Sequence, residues 1–257
     1  MATIHKRQTP PNVLTMMLEP IRTVAQLGRL VAAHPLLKRI PKGDGHTVLV
    51  LPGFMASDSS TKILRSYLMH WGYDAHGWSL GTNVGVSGRS KIEQQVTALV
   101  LDLAAKANGK ITIIGWSLGG VIAREIAREY PQHVRQVITL GSPFGGHPTG
   151  TSVWRLYENI VNASVDDDEH NDRLKIIPQN IPGVPSTAIY TINDGVVSWR
   201  IAREKTNHLA ENVHVFSSHL GLGFSPSAFY VIADRLAQRQ GKWKPFSKKG
   251  LRRLVWA

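Results

Sequence analysis

Residues 110–120 read K-I-T-I-I-G-W-S-L-G-G, and the fold follows from how this stretch changes character halfway along. The β-branched run Ile111, Thr112, Ile113, Ile114 has the composition of a strand covered on both faces. Residues 118–129 instead have helical spacing, which stops at Tyr130 and Pro131. Ser117 therefore occupies the bend where a buried strand turns at once into a helix. Such a turn strains its central residue and crowds the positions two residues to either side, where the chain supplies Gly115 and Gly119. The pattern G-x-S-x-G in this setting lifts a serine hydroxyl to the end of a sheet.

Working outward, residues 46–51 read as a second buried strand that ends in Pro52, Gly53, Phe54 and Met55. Residues 59–71 have helical spacing with Gly72 at the C-terminal cap, 73–78 form a short strand, and 91–108 form another helix closed by Gly109. The Gly-rich stretch 79–89 lacks the lysine and spacing of a phosphate-binding loop and reads as a plain loop. Downstream, 133–140, 187–192 and 212–216 carry strand patterns, and the last helix covers 227–238. Strands separated mainly by helices predict an α/β fold: a mostly parallel sheet of at least six strands with helices on both faces. Residues 148–186 break this rhythm, with a short helix around Trp154 and Tyr157 and prolines at 178, 182 and 185, and are predicted to be a cap insertion. Residues 12–33 carry apolar side chains at three-and-four spacing. They predict an amphipathic helix interrupted or started at Pro20, with its apolar face packed on the domain. The expected organisation is an N-terminal helical extension (1–45), one catalytic-size domain (46–240) and a basic tail (241–257).

Composition narrows the chemistry. At 257 residues, 42% hydrophobic and 19% charged, the chain suits one globular α/β domain. It has no cysteine, which excludes disulfides, Cys-based zinc sites and a cysteine nucleophile. No stretch reaches the ~18 apolar residues that span a bilayer, and the opening residues lack the apolar core of a secretory signal, so a cytoplasmic location is expected. The net charge of +12 is uneven: residues 1–45 carry +5, 235–257 carry +8, and the remainder −1. A neutral central domain does not select a polyanion, so nucleic acid is the less favoured partner, while the basic ends suit peripheral contact with an anionic membrane. The acids at 166–169 are contiguous and do not alternate as calcium-loop ligands do, so no metal site is expected.

A serine hydroxyl is a poor nucleophile until a base takes its proton and a third group holds that base. In a parallel sheet these groups gather at the carboxyl ends of strands. Asp194 follows the strand at 187–192 in the turn N-D-G-V-V, and His219 follows the strand at 212–216, ahead of the last helix. The order Ser117, Asp194, His219 is the chain order of an α/β-hydrolase triad. Asp172 is the reserve for the acid. An oxyanion formed at Ser117 needs two backbone N–H donors. Leu118 at the start of the helix supplies one, and Phe54, after the permissive Gly53, supplies the other, with Met55 as fallback. Trp116, Met55, Phe144, Trp154 and Tyr157 are the candidates for an apolar substrate pocket. No cofactor is required.

L-P-G-F after the first long strand, G-W-S-L-G-G at the bend, L-G-S-P-F-G-G, N-D-G-V-V and S-S-H-L-G-L together resemble bacterial lipases and carboxylesterases of the α/β-hydrolase superfamily. The resemblance runs from about residue 47 to 238. It implies Ser117 as nucleophile, Asp194 as orienting acid, His219 as general base and acid, and Phe54 and Leu118 as oxyanion donors. Trp116 stands where histidine is frequent. Pro52 and Gly53 stand where His-Gly is usual, with one bulky residue after the glycine, as in lipases that favour medium or long acyl chains. The implied activity is hydrolysis of a carboxylic ester with an apolar acyl group. The same triad also serves acyltransferases, thioesterases and amidases.

Overall fold

The computed structural model describes residues 9–85, 91–146, 148–154 and 180–247. Its strands are β1 (Thr47–Leu51), β2 (Asp74–Gly77), β3 (Ile111–Trp116), β4 (Val134–Leu140), β5 (Ser186–Tyr190) and β6 (Ala210–His214). They form one sheet in the order β2-β1-β3-β4-β5-β6, with every neighbouring pair parallel. The chain enters at β1, steps outward to β2, then returns to the other side of β1 and proceeds from β3 to β6. That reversal opens a crevice at the carboxyl ends of β1 and β3, where such sheets bind their ligands.

The helices are α1 (Val13–Met17), α2 (Glu19–Lys38), α3 (Asp58–His70), α4 (Lys91–Lys106), α5 (Leu118–Glu129) and α6 (Pro226–Leu236). Side-chain alternation along each strand divides the apolar residues between two faces. Val48 and Val50 of β1 and Ile114 of β3 share a core with Leu68 of α3, Leu30 of α2 and Phe229 of α6. Leu49, Leu51 and Ile113 share another with Val96 and Val100 of α4 and Ile122 and Ile126 of α5. The central strands β1 and β3 are nearly all apolar and fully buried because both sides are covered, whereas the edge strands β2 and β6 are not.

Of the boundaries that moved, two bear on the site. The strand expected at 187–192 is Ser186–Tyr190, and that expected at 212–216 is Ala210–His214, so each stops earlier and leaves a longer loop behind it. Those loops carry Asp194 and His219. The predicted cap lies largely outside the described residues. Of its described part, Thr151 bridges Val197, and Tyr157 and Asp172 fall outside.

The N-terminal helix packs on the core through Leu30 and Leu37 but leaves much of its expected apolar face outward. Pro20 starts α2 after a break at Leu18, as the pattern allowed. Yet Met17, Ile21, Val24 and Val31 are exposed, whereas Glu19, Gln26, Leu30 and Leu37 are buried. A buried carboxylate and amide are tolerated only where they meet hydrogen-bond partners. Glu19 meets its partners on the loops after β5 and β6, and the Gln26 amide N–H₂ meets the Phe216 carbonyl on the latter.

One further buried charge pair ties the sheet together. The Arg124 guanidinium of α5 donates to Glu204 at 2.8 Å, with side-chain exposures of 1% and 0%, and lies 4.0 Å above the Phe144 ring. Glu204 also accepts from the Ser186 hydroxyl at 2.8 Å. Phe144, a candidate for the substrate pocket, is thus fully buried beneath Arg124.

Candidate active site

Ser117 lies between β3 and α5 with φ 52° and ψ −121°, a conformation that costs a non-glycine residue about 1–3 kcal/mol. The surroundings enforce it. The Ser117 N–H donates to the Leu140 carbonyl of the next strand at 2.8 Å. A Cβ on Gly115 would lie 2.3 Å from the Gly120 Cα, and one on Gly119 would lie 2.5 Å from the Leu51 carbonyl oxygen. Gly115 is therefore needed for the first turn of α5 to fold back over β3, and Gly119 for it to pass the end of β1.

Asp194 and His219 are brought together from different loops. His219 Nδ1 and Asp194 Oδ2 are 2.8 Å apart, with side-chain exposures of 4% and 1%. The other Asp194 oxygen accepts the N–H groups of Val196 at 2.9 Å and Val197 at 2.7 Å, which fixes the carboxylate's orientation. Burial pushes the imidazole pKa down, but the Asp194 carboxylate and the charge of Glu19 oppose it, and the net value is raised above the ordinary 6.5. Gly141, at the end of β4 with φ 56°, makes room for the pair. A Cβ there would sit 3.1 Å from both Asp194 Oδ2 and His219 Nδ1. The carboxylate, the imidazole and the strained serine thus gather at the carboxyl ends of β3 to β6. An imidazole oriented by a carboxylate can take a proton from a hydroxyl and return it to a leaving group.

The loop after β1 closes the other side. Gly53 faces the serine, since a Cβ on it would lie 3.2 Å from Ser117 Cβ. Met55, the fallback oxyanion donor, uses its N–H on the Asn83 carbonyl at 2.7 Å and has φ 56°. Asn83 returns its side-chain amide to the Pro52 carbonyl at 2.8 Å and is fully buried. Sequence reading passed over Asn83 because it stands in a Gly-rich loop without a motif. Leu118 is the first residue of α5, where a helix leaves its N–H groups without intrahelical acceptors.

Trp116, expected in the substrate pocket, is buried, and its indole N–H donates to the His219 carbonyl at 3.2 Å. Its ring occupies the space that a side chain at Gly223 would need, 2.5 Å away. Met55 is exposed and Trp154 half-buried.

Glu19 is the site residue that sequence reading missed. Its Oε1 accepts the N–H groups of Gly195 at 2.8 Å and His219 at 3.0 Å, and its Oε2 accepts that of Leu220 at 2.9 Å. Arg22 stands 3.3 Å from the same carboxylate and donates to the Asn193 carbonyl at 2.5 Å. No group of three metal-ligating side chains occurs among the described residues.

With this geometry the chain is an α/β-hydrolase-fold protein. Residues 51–157 match the family described as alpha/beta hydrolase fold. The chain is 28% identical over 106 residues to pimeloyl-[acyl-carrier protein] methyl ester esterase of Aliivibrio fischeri, a match covering 39% of this chain and only 38% of that relative. Among solved structures it superposes on a metagenome-derived lipolytic enzyme of the LipS and LipT study with TM-score 0.55 and 14% identity, covering 76% of this chain and 93% of the other. Aspergillus fumigatus lipase B gives 0.54 and 15%, covering 80% and 55%. These likenesses establish the fold.

Proposed function

We propose that the chain is a serine hydrolase of carboxylic esters. The Ser117 hydroxyl attacks the ester carbonyl while His219 takes its proton. His219 then returns that proton to the departing alcohol, leaving an acyl group on Ser117. Water, deprotonated by the same imidazole, releases the acid. Asp194 holds the imidazole in the required tautomer. The N–H groups of Phe54 and Leu118 receive the oxyanion. The observation that carries this reading is the buried Asp194–His219 pair at 2.8 Å, set at the same sheet end as a serine held at φ 52°. It is supported by the relative named as a methyl ester esterase and by neighbours named as lipases.

Labelling with a fluorophosphonate, followed by peptide mapping, tests the reading. Modification is expected at Ser117 alone and lost in Ser117→Ala, together with p-nitrophenyl ester hydrolysis. Hydrolysis that persists in Ser117→Ala would overturn it. A panel of esters, acyl thioesters and amides then separates ester hydrolysis from the other acyl chemistries.

The acyl portion is apolar, and the protein works at a lipid surface. What favours this is the exposed row Val13, Leu14, Met17, Ile21 and Val24, each at least 60% exposed, on helices that dock beside the Asp194 and His219 loops. Among the described residues no helix is long and apolar enough to cross a membrane. Co-sedimentation with anionic vesicles that weakens with salt and with Ile21→Asp checks this part. Equal binding by the variant would refute it.

A further inference from the structure

We infer that Glu19, on the N-terminal helix outside the hydrolase domain proper, is a positioning residue of the triad: its carboxylate joins the turn behind Asp194 to the loop carrying His219 and keeps the acid and base in register. The inference rests on the reading of Ser117 as nucleophile and deepens it.

Three features carry it. First, the contacts fall on the residues that matter. Gly195 follows Asp194 directly, and His219 is itself one of the donors, with Leu220 the next. The two loops belong to different strand ends, and a single carboxylate bridges them. Second, the bridge is buried, with Glu19 2% exposed, so its hydrogen bonds do not compete with water. Third, the hydrolase loops are shaped to receive this helix. A Cβ on Gly195 would come within 2.5 Å of the Thr15 carbonyl oxygen and 2.9 Å of Glu19 Oε1, and one on Gly221 within 2.8 Å of the Gln26 side chain. Gln26 in turn donates to the Phe216 carbonyl at 3.3 Å. Both loops carry a glycine where the N-terminal helices press against them.

A carboxylate suits this place better than its amide. Glu19 presents oxygen to three N–H donors, whereas glutamine must turn an NH₂ toward at least one of them. Its charge also acts on His219. The charged groups around the imidazole are Asp194 from the loop after β5, Glu19 from α2, and Arg22, which partly offsets Glu19 from 3.3 Å. The negative charge of Glu19 favours the imidazolium that forms as Ser117 loses its proton.

The rate of fluorophosphonate labelling at Ser117, measured against pH for wild type, Glu19→Gln and Glu19→Asp, tests the inference without a known substrate. Glu19→Gln is expected to react on the order of tenfold more slowly at the plateau, because small misplacements of a catalytic pair are costly. Its midpoint should also move to lower pH, because the imidazolium loses a neighbouring negative charge. Glu19→Asp, which retains the charge, should restore the midpoint toward that of wild type. A merely structural role would lower the melting temperature while leaving the rate per folded molecule and the midpoint unchanged, and that result overturns the inference. Should Glu19→Gln not fold, a wild-type labelling rate in Glu19→Asp, whose shorter side chain cannot reach both loops, would overturn it equally. Absence of labelling at Ser117 in the wild-type protein would instead refute the hydrolase reading itself.

Discussion

Gly53 stands against Ser117 so closely that a Cβ built on it would lie 3.2 Å from Ser117 Cβ and 3.5 Å from the Trp116 carbonyl oxygen. The loop carrying Phe54 is therefore pressed onto the proposed nucleophile. Gly53→Ala must push either that loop or Ser117 aside by a few tenths of an ångström. The loop is braced from behind by Asn83, which bonds both Pro52 and Met55. Expected is a fall in kcat/KM on the order of tenfold or more, since oxyanion donors act only when placed against the developing charge. The melting temperature should stay near that of wild type. Wild-type kcat/KM on a p-nitrophenyl ester would show that the loop yields freely.

The raised pKa of His219 fixes the sign of the pH dependence. Burial disfavours the imidazolium, but Asp194 at 2.8 Å and Glu19 outweigh burial, so the group protonates above its ordinary 6.5. Only the neutral imidazole can accept the serine proton. Activity should fall as pH drops through this raised value, giving kcat/KM an acid limb with its midpoint above 6.5. The same shift stabilises the folded chain below the unfolded pKa, and that contribution disappears as pH rises through the folded one. A pH profile with its midpoint below 6.5 would contradict the assignment of His219 as base.

The sheet and the three residues at its end were legible in the sequence for a physical reason. A strand covered on both faces must be apolar throughout, and a sharp strand-to-helix bend admits only small flanking residues. Both constraints act within a few neighbours of Ser117. Asp194 and His219 were found by the next constraint, that loops at strand ends carry the polar groups. Glu19 obeyed no such local rule. An acid in the first turn of a helix reads as a partner of the helix dipole. Its role arises only when α2 docks and meets residues 176 to 201 positions away. The orientation of α2 escaped for the same reason: its apolar residues outnumber Glu19 and Gln26, and the pattern could not show that unpaired N–H groups elsewhere attract those two inward. Trp116 reads from its position as a pocket residue, but its indole turns back under His219.

The Arg124–Glu204 pair should contribute to stability and not to chemistry. Both side chains are almost fully buried, and Glu204 also receives the Ser186 hydroxyl. Glu204→Gln keeps the shape but removes the carboxylate that faces the buried Arg124 guanidinium. Removing one partner of such a pair costs about 3–5 kcal/mol. Urea unfolding should register a loss near the lower end of that range, because the amide oxygen can still accept one hydrogen bond. Labelling of Ser117 in the folded fraction should proceed at the wild-type rate. A stability change below about 1 kcal/mol would mean that relaxation or water compensates the charge.

Trp116→Phe isolates a single hydrogen bond behind the base. The indole N–H donates to the His219 carbonyl at 3.2 Å, while the ring packs edge-on to Phe224 with centroids 6.1 Å apart. Phenylalanine retains most of the apolar contact and removes the indole donor, leaving the His219 carbonyl with the Leu222 N–H at 3.3 Å. The net worth of such a bond is about 0.5–1.5 kcal/mol. If the loss is felt in the transition state, the rate falls by roughly twofold to tenfold. The effect should appear in kcat with KM little changed, because the indole bonds the residue proposed to move the proton and is itself buried. A rise in KM with kcat intact would instead place Trp116 in contact with the acyl chain, the role its position in the sequence suggested. Steady-state kinetics on two esters of different acyl length distinguish the outcomes, since only a pocket residue should alter the ratio of their KM values.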